Sequence, residues 1–185
     1  MLITERLRLE ALKTAHTDAL LAYHLRNREH LKPYEPARSD DAFTRRAVRE
    51  EIEHAEGFAA DQRAFIFAVF ERKGDDIVAL VHLLHIMRGP RQDGIIAYSV
   101  DCERQGRGIA TEAAQAVVRF AFDELHLHRL STGYFPENVA SGRVLRKLGF
   151  TFEGYARDYL FIDGAWHDSI LVSLINKDWQ PPHIS

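Results

Sequence analysis

Between an apolar run, Ile95 to Val100, and a long apolar-periodic segment, Ala110 to Leu125, the chain reads Asp101-Cys102-Glu103-Arg104-Gln105-Gly106-Arg107-Gly108-Ile109-Ala110-Thr111-Glu112-Ala113. The run reads as a strand and the segment as a helix. The chain must therefore pass from a strand through a glycine loop into a helix N-terminus. The first N–H groups of a helix have no internal partner, and the helix dipole puts partial positive charge there. Gly106 and Gly108 remove the side chains that would keep a ligand from those amides, while Arg104 and Arg107 add fixed charge. The combination favours a pyrophosphate. A Walker-type loop is excluded because no Gly-Lys-Ser/Thr follows. A dinucleotide fingerprint lacks its third glycine, and about 20 positions on, where a ribose-binding acid belongs, stands Leu130-Ser131-Thr132-Gly133. An ordinary glycine turn capping a surface helix remains open at this point.

Gln105-x-x-Gly108-x-Ala110 resembles the Gln/Arg-x-x-Gly-x-Gly/Ala signature of the GNAT acetyltransferase superfamily. Downstream, Asn138-Val139-Ala140-Ser141-Gly142-Arg143-Val144-Leu145-Arg146-Lys147-Leu148-Gly149-Phe150 resembles its second signature, in the right order. Asn27 to Pro36 and Gly154 to Asp168 are similar to the RimJ-like branch, which acetylates the N-terminal alanine of a small-subunit ribosomal protein. The likeness runs from about Ile3 to Pro182. It implies a mixed central sheet of about seven strands flanked by helices, with two central parallel strands splayed apart. It also implies that Gln105, Gly106, Arg107, Gly108, Ile109, Ala110 and Thr111 hold the diphosphate of acetyl-coenzyme A. The backbone around Val100 would pair with the pantetheine arm like an extra strand and turn an N–H toward the oxyanion.

The rest of the chain reads as one α/β domain over residues 1–185. Strands are expected at Ile3–Leu9, Ala64–Glu71, Ile77–Met87, Leu130–Tyr134, Phe152–Ile162 and Trp166–Ile175, the last two joined by a type I′ turn at Asp163-Gly164. Helices are expected at Thr14–Arg26, Asp41–Phe58 and Ser141–Lys147, with the prolines of His30–Pro36 ending the first. Ala15, Ala19, Ala22 and Leu25 are among the apolar positions of the first helix. Glu50, Glu51, Glu53 and Glu56 read as a solvated acidic face, or as an attraction for a basic peptide.

A net charge of -3 gives no bulk basic footprint for nucleic acid, so no direct nucleic-acid partner is expected. Met1 to Arg6 carries no signal-peptide pattern, and no apolar run is long enough to span a bilayer, so a cytoplasmic protein without a membrane partner is expected. The single cysteine, Cys102, rules out an internal disulfide. His82-x-x-His85 makes a poor metal site, because residues three apart on a strand face opposite ways, and no metal is expected.

Making an amide from a thioester requires a neutral amine, a placed acyl carbon, a stabilised oxyanion and a protonated leaving thiolate. Asn138 offers a donor and an acceptor for the pantetheine amide, or else is a turn residue. Ser141 is the candidate for the departing thiolate, or else an N-cap. Many superfamily members carry a tyrosine acid where Leu145 stands here, and some related ribosomal-protein enzymes place a glutamate near Leu160. Glu35, Glu112, Asp168, His82 and His85 are the candidate bases. Glu112 fits a structural role in the first turn of its helix, whereas Asp168 and Glu35 are candidates to line the site. Lys32-Pro33-Tyr34-Glu35-Pro36 reads as a substrate gate or a plain connector. An α-amine titrates near 8 and is roughly one-tenth neutral at pH 7, so an N-terminal acceptor needs only a modest base. The expected reaction is direct attack, in a ternary complex, on acetyl-coenzyme A by the N-terminus of a peptide or protein, ribosomal by resemblance. A homodimer is an admissible assembly. The rivals are a small-amine acetyltransferase, for a polyamine, amino sugar or amino-acid analogue, and a catalytically weak coenzyme-binding protein that assists ribosome assembly.

Overall fold

The computed structural model describes residues 1–181, so Pro182, where the resemblance ends, lies outside the described residues. Strands β1 (Leu2–Ile3), β2 (Leu7–Ala11), β3 (Phe65–Glu71), β4 (Ile77–Met87), β5 (Asp93–Val100), β6 (Arg129–Tyr134), β7 (Thr151–Ile162) and β8 (Ala165–Ile175) form one open sheet. Its order is β1-β2-β3-β4-β5-β6-β8-β7. The β5–β6 pairing is parallel, and the other pairings between described strands are antiparallel. The helices are α1 (Thr17–Leu31), α2 (Arg45–Ala60), α3 (Ile109–Arg119) and α4 (Val139–Lys147).

The eighth strand comes from the N-terminus. The stretch expected to be one strand, Ile3–Leu9, breaks at Thr4, whose amide donates to the Leu7 carbonyl and whose hydroxyl oxygen accepts from the Leu7 amide. Leu2 and Ile3 thereby fold back onto Leu9 and Arg8.

Strand β3 shows how the two layers divide. Phe67 and Val69 join the core under α3 and α4, whereas Ala68 and Phe70 join the core under α1 and α2. Successive strand side chains point to opposite faces, and here both faces are covered, so the strand is apolar without alternation. Burying one such Phe, Leu or Ile contributes about 1.5–3 kcal/mol.

Helix α1 buries a different stripe from the one its alanines suggest. Leu20, Tyr23, His24, Asn27 and Leu31 face inward, while Leu25 is exposed. Two polar groups lie in that stripe because each has a partner elsewhere in the fold. Asn27 donates through Nδ2 to the Tyr23 carbonyl and accepts through Oδ1 from the Cys102 amide. The helix also runs past Arg26 to Leu31, since its first proline, Pro33, lies beyond the last helical turn. On α2, Arg46–Glu50 and Arg49–Glu53 are surface pairs one turn apart, but Glu51 turns inward to Arg38.

Candidate active site

The site is made by a failure of pairing. β5 and β6 are in register from Asp93↔Arg129 to Ile95↔Ser131. Beyond that β5 continues to Val100 and β6 to Tyr134 without meeting, which leaves one backbone edge of β5 free toward the gap. A cavity of about 790 Å³ occupies this region. Its walls come from three sources: residues 104–106 and 108–111 after β5, residues 97–100 of β5 with Asn138 and Ser141 at the start of α4, and the loop after α1 with His82 and Leu84 of β4.

Gly108 is the last residue before α3 and holds φ 79. A side chain there would be strained in that left-handed conformation, and its Cβ would come within 3.3 Å of Arg6 Nη2. The first-turn amides of α3, Ile109 to Thr111, thus meet the cavity beside a position with no side chain. Gly106, Ala110 and Gln105 line the same wall, and the Gln105 amide meets the His30 ring. Arg107 was expected among these residues but does not line the cavity. Its guanidinium turns back to the Glu103 carbonyl, and its own carbonyl accepts from Arg6 Nη1 at 2.9 Å. Arg104 does line the wall, with its charge shared by Asp101.

Two carboxylates brace this loop from behind. Asp101 is fully buried and accepts from Arg26, Asn27, the Glu103 amide and Arg104. Glu112 accepts from Thr4 Oγ1 at 2.6 Å, the Arg6 amide at 2.9 Å and Arg6 Nε at 2.7 Å. Burial raises the Glu112 pKa, but these hydrogen bonds outweigh it and hold the carboxyl below its ordinary value. A carboxylate so engaged is a strut, in keeping with the structural role expected for it.

Val100 lines the cavity. β5 stays in unbroken register with β4 from Ala79↔Val100 to Leu84↔Ile95, so no bulge re-aims the backbone at Val100. The register break lies at the far end of β4, where His85 has φ 49 and leaves the cavity to His82.

On α4 the roles of two residues exchange. The helix begins at Val139, and Asn138, not Ser141, is the N-cap, accepting the Ser141 amide through Oδ1 at 3.0 Å. That leaves the Asn138 Nδ2 donor for the cavity and frees the Ser141 hydroxyl from capping. The hydroxyl lies 3.0 Å from the Tyr98 hydroxyl, which also donates to the Ser141 carbonyl at 3.2 Å. Burial pushes the Tyr98 phenol up to about 12, against the lowering effect of its Ser141 bond, so it stays protonated at neutral pH. Sequence reading missed Tyr98. The signal was its period: two residues before Val100, it shares that residue's face of β5. Leu145, at the position where many relatives carry a tyrosine, is buried in the core.

α4 is seated by Gly142, where a Cβ would fall 2.8 Å from the Tyr134 ring. Gly142→Val should overpack this contact and cost about 1–3 kcal/mol, lowering Tm by roughly 2–12 °C in a calorimetric scan. An unchanged Tm would show that α4 does not depend on this approach.

Of the carboxylates expected to line the site, Glu35 does and Asp168 does not. Asp168 accepts from the Tyr155 hydroxyl at 2.5 Å and the Asp158 amide at 2.9 Å. Asp158 has φ 47 and lies where β7 loses register with β8. Asp168 therefore stitches a bulge outside the cavity. Leu160 is exposed on the same strand. Burial raises the Glu35 pKa above its ordinary value, opposed by Arg38 and then His24. Tyr34, on the same wall, stacks on Phe135, which stacks on His167. Cys102 does not line the cavity, and its thiol faces the Arg26 carbonyl at 3.9 Å. Among the described residues no three His, Cys, Asp or Glu side chains gather as a metal site, and no helix is long and apolar enough to cross a membrane.

A parallel pair that parts, a glycine-capped helix aimed into the gap and a second helix carrying Asn138 and Ser141 define an acyl-coenzyme-binding fold. Residues 6–151 match the acetyltransferase (GNAT) domain, and the chain belongs to that family as an acetyl-coenzyme A-dependent N-acyltransferase. Over 180 residues it is 33% identical to the ribosomal protein uS5-alanine N-acetyltransferase of Escherichia coli (strain K12), covering 97% of this chain and 93% of that protein. The crystal structure of ribosomal-protein-S5-alanine acetyltransferase from Vibrio fischeri superposes with a TM-score of 0.93 at 36% identity, covering 97% of this chain and 98% of that one. Mycobacterium smegmatis RimJ in complex with CoA-disulfide gives a TM-score of 0.87 at 26% identity, with 93% and 83% covered.

Proposed function

We propose that the enzyme transfers the acetyl group of acetyl-coenzyme A to the N-terminal amine of a ribosomal protein whose first residue is alanine, by direct attack in a ternary complex. The observation that carries this reading is the single cavity bounded both by the glycine loop and by the Glu35 wall, so that coenzyme and amine share one space. The left-handed Gly106 and Gly108 and the first-turn amides of α3 fit a diphosphate. The free edge of β5 fits an extended amide-bearing arm, with Asn138 Nδ2 as a further donor. Relatives named for alanine acetylation of ribosomal protein S5 align over nearly the whole chain, which supports the acceptor.

The chain's own groups divide the proton work. Glu35, on the cavity wall, receives the proton of the acceptor ammonium. An α-amine, with a pKa near 8, gives up that proton far more readily than a lysine near 10.4. The Ser141 hydroxyl, bonded to the protonated Tyr98, hands a proton to the thiolate as the C–S bond breaks, and the second proton, which the nitrogen sheds as the C–N bond forms, restores that hydroxyl. The position of Cys102 outside the cavity favours direct transfer over an acyl-cysteine intermediate. The enzyme as a homodimer belongs to the same reading, which needs no second copy at the site.

Mass spectrometry of ribosomal protein N-termini, with and without the enzyme and acetyl-coenzyme A, tests the acceptor. An added mass of about 42 Da, the difference when an acetyl group replaces one hydrogen, on one alanine-starting protein and absent without enzyme, is the expected result. Turnover of a polyamine, amino sugar or amino-acid analogue instead would assign a small-amine enzyme. Coenzyme binding with no thiol release on any acceptor would assign a binding protein.

A further inference from the structure

Behind the Glu35 wall lies a cluster of charged and titratable groups that the transfer chemistry above leaves unused. Arg38 belongs to the same loop as Glu35 and also lines the cavity. Its Nη1 donates to Glu51 Oε2 of α2 at 3.0 Å and lies 3.4 Å from His24 Nε2 of α1. His24 Nε2 is in turn 3.6 Å from the other Glu51 oxygen, Oε1. On its remaining side Arg38 Nε lies 4.0 Å from Glu35 Oε2. His24 is buried, and Arg38, Glu51 and Glu35 are each about one-third exposed. The guanidinium is thus anchored to α2 through Glu51, with the His24 ring beside it, and presents its free flank to one carboxylate at the cavity wall.

We propose that Arg38, held by Glu51, is a positioning residue that keeps the Glu35 carboxyl as the anion which takes the acceptor's ammonium proton. The inference rests on the assignment of Glu35 as the proton acceptor. Burial alone favours the neutral acid, because the charged form loses water. A fixed cation at 4.0 Å opposes that without closing a full hydrogen-bonded pair, so the carboxylate remains available to a second cation. The hold matters because a free arginine would fold onto Glu35 and occupy it.

The other groups facing Glu35 do not replace Arg38. From α1 come His24 and the buried Tyr23 hydroxyl, which is bonded to Ser99 and pushed above its ordinary value by burial. From α2 comes Glu51. Burial disfavours its charge, but the His24 bond and Arg38 hold it down at about 2, so it is an anion that pushes Glu35 toward the neutral form. From β4 comes His82, whose imidazole burial lowers to about 4, so it is uncharged at neutral pH. Arg38 is therefore the largest cationic influence on Glu35. Four glutamates close together on α2 made Glu51 look like surface in the sequence, and only its inward turn distinguishes it.

The test is a carbon-13 NMR titration of the Glu35 carboxyl carbon in the wild type, Arg38→Met, Arg38→Lys and Glu51→Gln. It needs no acceptor and no coenzyme. Arg38→Met should move the midpoint upward, and Arg38→Lys should restore most of it. Glu51→Gln removes an anion and releases Arg38, so it should move the midpoint downward. In parallel, kcat/KM of Arg38→Met with an alanine-starting peptide, taken as a ratio to the wild type, should be lower by about tenfold at acid pH and recover as pH rises. An unmoved Glu35 midpoint in Arg38→Met, or the same direction of movement in Arg38→Met and Glu51→Gln, overturns the proposal. A loss of activity equal at all pH values overturns it too. If the midpoints move as stated but no peptide is acetylated, the acceptor assignment falls and the positioning role stands.

Discussion

Gly108→Val is expected to weaken acetyl-coenzyme A binding by about 10- to 100-fold in a calorimetric titration. The backbone there holds φ 79, and a non-glycine residue forced into a rarely populated conformation costs about 1–3 kcal/mol. The new Cβ would also press on Arg6 Nη2 at 3.3 Å. The chain can escape only by rotating the peptide or displacing Arg6. Either course turns the first amides of α3 away from the cavity, where the proposed function seats the diphosphate. Each 1.4 kcal/mol is a factor of about ten in affinity, which sets the range. Gly57→Ala is the control, since a Cβ at that exposed helical glycine meets nothing within 4 Å. A Gly108→Val protein that melts like the wild type and binds the coenzyme equally well would remove the loop from the site.

Ser141→Ala should lower kcat by about 100-fold, the middle of the range for a lost proton-transfer group. The coenzyme's Kd should hardly change, because the amide of residue 141 still caps onto Asn138 and Gly142 still seats α4 on Tyr134. Tyr98→Phe keeps the serine and removes its bonded partner, so its effect should be smaller than that of Ser141→Ala. Single-turnover thiol release with saturating acceptor separates these from defects in binding. If Ser141→Ala turns over at the wild-type rate, water protonates the thiolate and the serine is only a packed helix residue.

Much of this fold was legible because its signals are local. Asp163 and Gly164 take φ 47 and 80, as an Asp-Gly hairpin turn demands. Gly149, just past α4, takes φ 87, and the Phe150 amide reaches back to the Leu145 carbonyl. The apolar runs of β3 and β4 gave strands almost to the residue. The glycine loop and Asn138 were legible as walls of one cavity because the signatures that place them are contiguous stretches.

What the sequence concealed depends on partners far apart in the chain. His24 and Asn27 look like interruptions of an amphipathic helix until Glu51 and Asp101 supply their bonds. Asp168 looked like a site carboxylate because it follows a hairpin near Trp166, yet a bulge around Asp158 claims it. Tyr98 reaches Ser141 across 43 positions, and neither residue names the other. Capping went to Asn138 rather than Ser141 because side-chain reach to an amide three residues on is satisfied equally well one turn earlier, which composition alone does not decide.

The bond from Arg6 to the Arg107 carbonyl, together with the grip of Glu112 on Thr4 and Arg6, makes the opening segment of the chain a retaining wall for the glycine loop. On the proposed function, affinity for the coenzyme is coupled to residues outside the cavity lining. A tag or truncation that disturbs the first half-dozen positions would register as a looser grip on the diphosphate, even with every contact residue left in place.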